Sequence, residues 1–506
     1  MEVLDTSIAN VALPYIAGNL SSTEDEAIWV LTSYLVANAI VLPASGWISV
    51  TFGRKRFYLL SVLLFTVSSF LCGIAPTLPI LILFRVLQGF GGGGLQPTTQ
   101  ALLADSFPKE KLGTAFTLYT LVISLAPTLG PVVGGWLSDN WGWRWIFFLN
   151  VPTGILAYVL NRRLQPDDKP LVWTGLNIDY IGIGLTAIGL GSLQIALDRG
   201  ERMDWFSSPF IIGCTLAAIL GLCTLAVYEW SFAEHPLIQL RLFRDRNFAL
   251  ACLIVFVAYG ARYASTALFP TFTHDMLGYT ATDSGLVLSP GSFTLLCLLP
   301  LVAILMKRLD LRALIFAGLL ITSTAFWYIS HLSLAASYIV ILRLRILESV
   351  GVALFLTPLS VLAYSSLKSG KNDAAASLYG LVRNLGAAIG ISAVNTLLLR
   401  HTQVHRSYLA QHLWSGSPEL QSTVSAYRSY LAHNGGYSIA DAAHRALAAV
   451  EIRLQKQAMA LAYMDCFRVL MWFSILLLPF SLLFHIKRPE PKPSLELILE
   501  EEVPGV

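Results

Sequence analysis

Fourteen stretches of roughly twenty apolar residues, divided by short polar connectors, constrain this chain more than any other feature. A helix rises about 1.5 Å per residue, so about twenty residues cross the ~30 Å hydrocarbon layer of a bilayer. The candidate spans lie near residues 1–18, 28–50, 57–75, 79–100, 113–137, 144–162, 177–197, 209–230, 248–272, 284–306, 312–331, 337–364, 375–399 and 464–486. Composition agrees: the chain is 55% hydrophobic and only 13% charged, whereas soluble domains carry about 25% charge. A soluble all-α protein is the alternative, and the charge deficit argues against it. The predicted fold class is therefore an all-α polytopic membrane protein. The first span gives only about 25 Å of helix and has nothing polar or basic before it, so further residues are expected upstream of Met1. No cleavable leader is recognisable.

The distribution of Lys and Arg predicts orientation, because basic residues collect in cytoplasmic loops. One set of connectors carries nineteen, among them Arg54, Lys55, Arg56, Arg162, Arg163, Lys307, Arg308 and Lys371. The short loops on the other side carry Arg199, Arg202 and Arg144. Both termini are thus expected in the cytoplasm and the segment 400–463 outside. Its stretch Ala440 to Ala458 reads as an amphipathic surface helix with Ala443, Leu447, Val450 and Leu454 at helical spacing. The net charge of +3 is spread between spans, so no nucleic-acid partner is implied. The six cysteines show no metal-ligand spacing and read as packing residues; no metal site is expected.

The two halves echo each other. Leu118-Tyr119-x-Leu121-Val122-x-x-Leu125 recurs as Leu378-Tyr379-x-Leu381-Val382-x-x-Leu385, and Arg85-x-Leu87-Gln88 as Arg345-x-Leu347-Glu348, both at an offset of 260. Ala12-Leu13-Pro14 resembles Leu268-Phe269-Pro270 at an offset of 256. The expected organisation is a six-helix bundle over 1–162, two inserted spans with a linker over 163–247, a second six-helix bundle over 248–486 including the outer loop 400–463, and a cytoplasmic tail over 487–506. Repeat-built transporters place their substrate site at the repeat interface near the midplane.

Several motifs sharpen this reading. Ala126 to Gly135 reads A-P-T-L-G-P-V-V-G-G, with Pro127, Gly130, Pro131, Gly134 and Gly135 inside a membrane span. Such residues survive in lipid only where protein or a water-lined cavity covers the freed backbone groups, and glycines admit a close neighbour. The run Gly89 to Gly94 lacks the Lys-Ser/Thr of a phosphate loop and reads as helix packing. Other motifs are Leu4-Asp5-Thr6-x-Ile8-Ala9-Asn10 in span 1, Gly46 to Arg56 after span 2, Arg85-Val86-Leu87-Gln88-Gly89 in span 4, Trp145 to Pro152 entering span 6, Arg383-Asn384-Leu385-Gly386 in span 13, and Leu461 to Phe467 ending the outer loop.

Taken together these motifs resemble the fourteen-span drug:proton antiporters of the major facilitator superfamily, the EmrB/QacA type, and most of all its Gram-negative branch. The resemblance implies a major facilitator fold: two six-helix bundles plus two central spans. It implies a secondary active multidrug exporter of lipophilic or cationic compounds in the bacterial inner membrane, driven by the proton motive force with no cofactor and no enzymatic step. It also implies a periplasmic membrane-fusion adaptor and an outer-membrane channel as partners. A metabolite or siderophore exporter is the alternative within transporters, and a membrane sensor is the alternative outside them. One departure stands out. The loop Gly46, Gly53, Arg54, Lys55, expected to gate the cytoplasmic face, has Val50 where the family pattern has an acid.

Ionisable groups within spans are functional candidates by default. Asp5 is read as the lone acid in the apolar part of the first six spans and hence as the proton carrier, with Arg85 as its tuning partner. Arg345 and Glu348 can pair at i, i+3. Arg262 falls one residue from the expected equivalent of Asp5, and Arg383 lies in span 13. The candidate cavity lining is Tyr34, Phe116, Tyr119, Tyr259, Tyr379, Arg262 and Arg383, with Phe256 and Phe355 as further aromatic candidates.

Overall fold

The computed structural model describes residues 1–108, 111–165, 179–233, 236–279, 289–333, 336–365, 367, 371–411, 417–434 and 438–485, with the side chains at 24, 25, 124, 127, 128, 131, 419, 432, 434, 439 and 440 left aside. No strand occurs among the described residues. Sixteen principal helices follow in order. They are α1 (Glu2–Asn19), α2 (Trp29–Phe52), α3 (Arg54–Ile74), α4 (Leu78–Gly92), α5 (Leu95–Ser106), α6 (Leu112–Asn140), α7 (Asn150–Leu164) and α8 (Tyr180–Arg199). The second half adds α9 (Pro209–Ser231), α10 (Arg246–Leu277), α11 (Ser289–Arg308), α12 (Leu311–Ile329), α13 (Tyr338–Ser365), α14 (Asn372–Gln411), α15 (Pro418–Asn434) and α16 (Ile439–Leu476).

Ten helices among the described residues are long and apolar enough to cross a membrane, α4 and α5 counting as one. Fourteen spans were expected. The other four expected spans coincide with α1, α6, α7 and α13, which are not among the ten; α6 is represented there by a shorter apolar helix, Leu112–Ile123. What the helices expose supports a lipid environment. Leu60, Leu63, Val67, Phe70 and Ile74 form an exposed apolar stripe along α3. A soluble helix would turn such a stripe inward. Trp136, Trp141 and Trp145 gather where α6 ends, their neighbouring rings 6.2 and 4.9 Å apart, as in an interfacial aromatic belt. The protein is a multi-pass membrane protein.

The internal repeat becomes a pseudo-twofold arrangement. In the first half α1 packs on α6, α2 on α4 and α3 on α4. In the second half the counterparts do the same: α10 on α14, α11 on α13 and α12 on α13. Across the seam α2 packs on α14 and α11 on α6, which is one pair with its halves exchanged. The inserted pair α8 and α9 pack on each other, and α8 leans on both α2 and α14.

Small residues set the closest approaches. A Cβ on Gly89 would lie 2.5 Å from the Tyr34 carbonyl, and one on Gly91 2.5 Å from the Phe65 amide, so α4 is wedged between α2 and α3. In the 126–135 motif, a Cβ on Gly130 would lie 2.5 Å from Ser7 Cβ, and one on Gly134 3.1 Å from Ile8 Cα. Gly135 faces open space. The motif is the surface on which α1 rests; the side chains of Pro127 and Pro131 lie outside the described residues. Gly53, between α2 and α3, sits at φ 95°, where a side chain would be strained.

Two expectations need correction. The outer loop is not a loop carrying a separate surface helix. The amphipathic stretch and the last span are one continuous helix, α16, and α14 runs on to Gln411. The packed face of that stretch is turned slightly from the one read from the sequence: Ala442 and Ala446 are buried and Ala443, Val450 and Leu454 half-buried, while Leu447 is 52% exposed. α15 packs against α16, and of the longer apolar side chains in the stretch Leu447 and Ile452 turn outward.

Gly130→Leu is expected to push α1 off α6 and to reduce turnover at least tenfold, whereas Gly135→Leu leaves turnover near wild type. Efflux from cells with matched membrane expression checks this pair.

Candidate functional site: a buried ion pair and a cavity at the seam

Asp5 is 3% exposed and Arg85 is fully buried. Arg85 Nη1 donates to Asp5 Oδ2 at 2.6 Å and to Gln88 Oε1 at 2.8 Å, and its Nε donates to the Val30 carbonyl at 2.9 Å. The other carboxylate oxygen of Asp5 accepts from Gln88 Nε2 at 3.0 Å and from Asn150 Nδ2 at 2.6 Å. Asn150 also donates to Ser69 Oγ at 3.1 Å, and the Ser69 hydroxyl donates to the Phe147 carbonyl at 2.9 Å. The guanidinium lies over the Tyr34 ring at 4.3 Å and near the Phe147 ring at 5.6 Å. Such a cation cannot shed its proton, so its burial requires a carboxylate, carbonyls and ring faces. The sequence paired Asp5 with Arg85; it did not assign roles to Gln88 and Asn150, although both lie inside quoted motifs.

Asp5 is not the only acid in α1. Glu2, three residues earlier, is half-buried, and Asn38 Nδ2 donates to Glu2 Oε1 at 2.9 Å. Gln96 lies near enough to act on the Glu2 carboxylate, and Arg383 donates to Gln96 Oε1. Polar side chains from α1, α5 and α14 therefore gather in one region. In the first turn of a helix a carboxylate is ordinary, so Glu2 carries no sign in the sequence of the contacts it makes.

The second half holds a counterpart with its acid moved. Arg345 Nη1 donates to Glu348 Oε2 at 2.5 Å and to Ser265 Oγ at 3.3 Å, while the Ser265 hydroxyl donates to Glu348 Oε1 at 2.9 Å. Asp5, Arg85 and Gln88 thus correspond to Ser265, Arg345 and Glu348, all at an offset of 260. This corrects the register read for α10: the residue standing where Asp5 stands is Ser265, and Arg262 is three residues away from it.

A partly open cavity lies at the seam, lined from α5 and α6 by Gln100 and Tyr119, from α10 by Tyr259 and Arg262, from α13 by Arg345 and Glu348, and from α14 by Arg383. Of the proposed lining residues, Tyr119, Tyr259, Arg262 and Arg383 stand on this wall. Phe116 is buried against Tyr364, their rings stacked at 5.3 Å, and Tyr379 is buried in the same core cluster. Tyr34 lies against Arg85 inside the first half. The wall carries three guanidiniums and one carboxylate, and that carboxylate is held by Arg345. The Arg262 side chain makes no hydrogen bond or ion pair with the described residues, and Arg383 has the Gln96 carbonyl and the Tyr259 ring at 5.6 Å rather than a carboxylate. The cavity therefore favours negative charge.

The seam is closed by charge at the Arg54 end. Arg54 Nε donates to Asp373 Oδ1 at 2.9 Å, and its Nη2 pairs with Asp105 at 2.7 Å. Asn372 also donates to Asp105. Val50, where an acid was missing, is 67% exposed. Its place in the latch is taken by acids from α5 and α14, a substitution that only the fold can reveal. Lys55 donates to the Gln165 carbonyl at 2.8 Å. Gly46 brings α2 onto α14: a Cβ there would lie 2.9 Å from the Asp373 carbonyl oxygen.

Comparison with known proteins agrees with this architecture. The Major Facilitator Superfamily profile matches residues 1–391. The chain is 36% identical over 426 residues to the fatty acid resistance protein FarB of Neisseria gonorrhoeae, covering 84% of this chain and 83% of that one. It is 36% identical over 430 residues to the multidrug export protein EmrB of Escherichia coli, with 84% and 83% covered. Among solved structures, the human organic anion transporter MFSD10 superposes with a TM-score of 0.54 at 15% identity, covering 94% of this chain and 96% of that one, a likeness of fold. This chain belongs to the major facilitator superfamily. Within it, the relatives place it with the EmrB-like drug exporters.

Asp5→Asn is expected to leave the Arg85 charge uncompensated and to cost about 3–5 kcal/mol of stability. Thermal melting of the detergent-solubilised protein reads this loss, and the double variant with Arg85→Gln recovers most of it.

Proposed function

We propose that the protein is a proton-coupled exporter of lipophilic small molecules, resident in the inner membrane of a bacterium with both termini in the cytoplasm. The seam cavity carries this reading. It lies between two repeat-related halves that can rock about it, which is the geometry alternating access requires. Asp5 loads and releases the coupling proton. Arg85 holds the loaded and unloaded forms in one place, and the polar group of Glu2, Gln96 and Arg383 connects that region with the cavity. The Arg54 latch opens and re-forms once per cycle. The EmrB of Escherichia coli is named for multidrug export, and the FarB of Neisseria gonorrhoeae for fatty acid resistance. The cavity's charge inclines this chain toward the anionic members of such a range rather than the cations that its resemblance first implied. A carboxylate or sulfonate on an apolar body would meet Arg262 and Arg383 and stack on Tyr119 and Tyr259.

The outer hairpin is the proposed contact with a periplasmic adaptor, which would pass cargo to an outer-membrane channel. Val404, Tyr408, Tyr430, Leu447 and Ile452 are large apolar side chains exposed on α14, α15 and α16.

Reconstitution in liposomes with an imposed pH gradient tests the function. An anionic amphiphilic dye is expected to be extruded faster than ethidium, and Arg262→Gln to cut the anion's rate about tenfold, the scale set by loss of a charge-assisted hydrogen bond. Absence of gradient-driven movement of any dye would rule out the exporter reading. For the hairpin, Leu447→Glu with Ile452→Glu is expected to spare transport in liposomes and abolish resistance in intact cells; unchanged whole-cell resistance would remove the adaptor contact.

A further inference from the structure

Where the hairpin meets the bundle, three chemically suited side chains converge. His401 and His405 stand one helical turn apart on α14, so both rings share a face of that helix. Asp465 comes from the facing helix α16. His401 Nδ1 lies 2.9 Å and His405 Nε2 2.7 Å from the same oxygen, Asp465 Oδ2. All three atoms fall within 4.8 Å of one another. The other carboxylate oxygen, Oδ1, accepts from Arg468 Nη1 at 3.0 Å, which fixes the plane of the carboxylate. The side chains are 39%, 26% and 19% exposed, so ions can reach them from solvent.

We propose that His401, His405 and Asp465 form a binding site for a divalent transition metal ion of zinc-like character, clamping α14 to α16 at the foot of the hairpin. The geometry needs little change. Ligands about 2.0–2.1 Å from a zinc ion stand about 3.3 Å apart in a tetrahedron. The two nitrogen–oxygen separations, 2.9 and 2.7 Å, open by about half an ångström to reach that spacing, and the two nitrogens, already within 4.8 Å of each other, settle to the same spacing. On binding, each imidazole moves its proton to the ring nitrogen that faces away, and the freed nitrogen and Asp465 Oδ2 coordinate the ion. Water fills the fourth position, and no bond in the protein breaks. Two imidazoles and one carboxylate suit zinc, nickel or cobalt, whereas calcium and magnesium demand more oxygen ligands. Arg468 holds the carboxylate from behind, as supporting partners do in built metal sites.

The site owes nothing to the transport cycle, so its test needs no cargo. Full-length protein without a polyhistidine tag is titrated in detergent with zinc chloride by calorimetry. The expected result is one equivalent bound and a rise in Tm, with no response to calcium chloride. Cobalt chloride is expected to give the visible absorption of a nitrogen–oxygen site. His401→Gln with His405→Gln is expected to weaken zinc binding by about a hundredfold and to erase the Tm rise. Asp465→Asn alone does the same, should the double variant fail to fold. Glu451→Gln, which breaks the nearby exposed pair with Arg406, leaves zinc binding unchanged. The proposal is overturned if wild-type protein binds no zinc at about 100 µM free metal, far above what a three-ligand site requires, or if the histidine and aspartate variants bind it as wild type does.

Discussion

The ion pair between Arg85 and Asp5 is the interaction on which the first half is organised. A guanidinium inside a bundle has no neutral form to retreat to. The surrounding helices supply the compensation from five directions, and of the guanidinium nitrogens only Arg85 Nη2 is left without a hydrogen-bond partner among the described residues. Asp5 comes from α1, the Val30 carbonyl and Tyr34 ring from α2, Ser69 from α3, Gln88 from Arg85's own helix, and Asn150 from the start of α7. Moving any one helix by an ångström would strand a buried charge or donor. That penalty makes the arrangement specific rather than merely stable. It also explains the glycines around it: α4 can bring Arg85 this close to α2 only because Gly89 has no side chain.

The second half keeps the same frame and redistributes its charge. Serine replaces the acid on the first helix of the half, and glutamate replaces the glutamine on the fourth. The acid is thereby moved onto the cavity wall, where it neutralises one of three guanidiniums. Asp5 does not line that cavity. One repeat unit therefore serves two electrostatic environments: a sealed pair in the first half and a cation-rich wall in the second. The fixed frame is the helix packing, which recurs pair by pair across the repeat.

Much of this was legible in the sequence because lipid imposes a simple rule on helices. Apolar runs located the helices, and the 260-residue echo of Arg85-x-Leu87-Gln88 located the repeat. Charge in an apolar run marked Asp5, Arg85, Arg345 and Glu348, since burial of charge demands a partner. What escaped were contacts between residues distant in the chain and unremarkable in type. Asn150 and Gln88 are neutral and carry no burial alarm. Asp105 and Asp373 sit at helix ends, where acids are ordinary, yet both meet Arg54. His401 and His405 lie about sixty residues from Asp465, and no spacing rule joins them. The seam between halves was also invisible at the level of single rings. Phe116 and Tyr379 resemble Tyr119 and Tyr259 in the sequence, but helix rotation turns the first two into the core.

The length of α14 has a mechanical consequence. It spans forty residues without a break, about 60 Å of helix at 1.5 Å per residue, twice the ~30 Å hydrocarbon thickness. Its first turn carries Asp373, which meets Arg54 at one face of the protein, and its last turns form the stem of the hairpin at the other. Such a rod acts as a lever arm. A tilt of about 15°, a modest domain rotation, carries a point 30 Å from the pivot through about 8 Å. In the proposed cycle, release of the Arg54 ion pairs at the near face would become a stroke at the far face, large enough for anything resting on the hairpin to sense which way the protein is open.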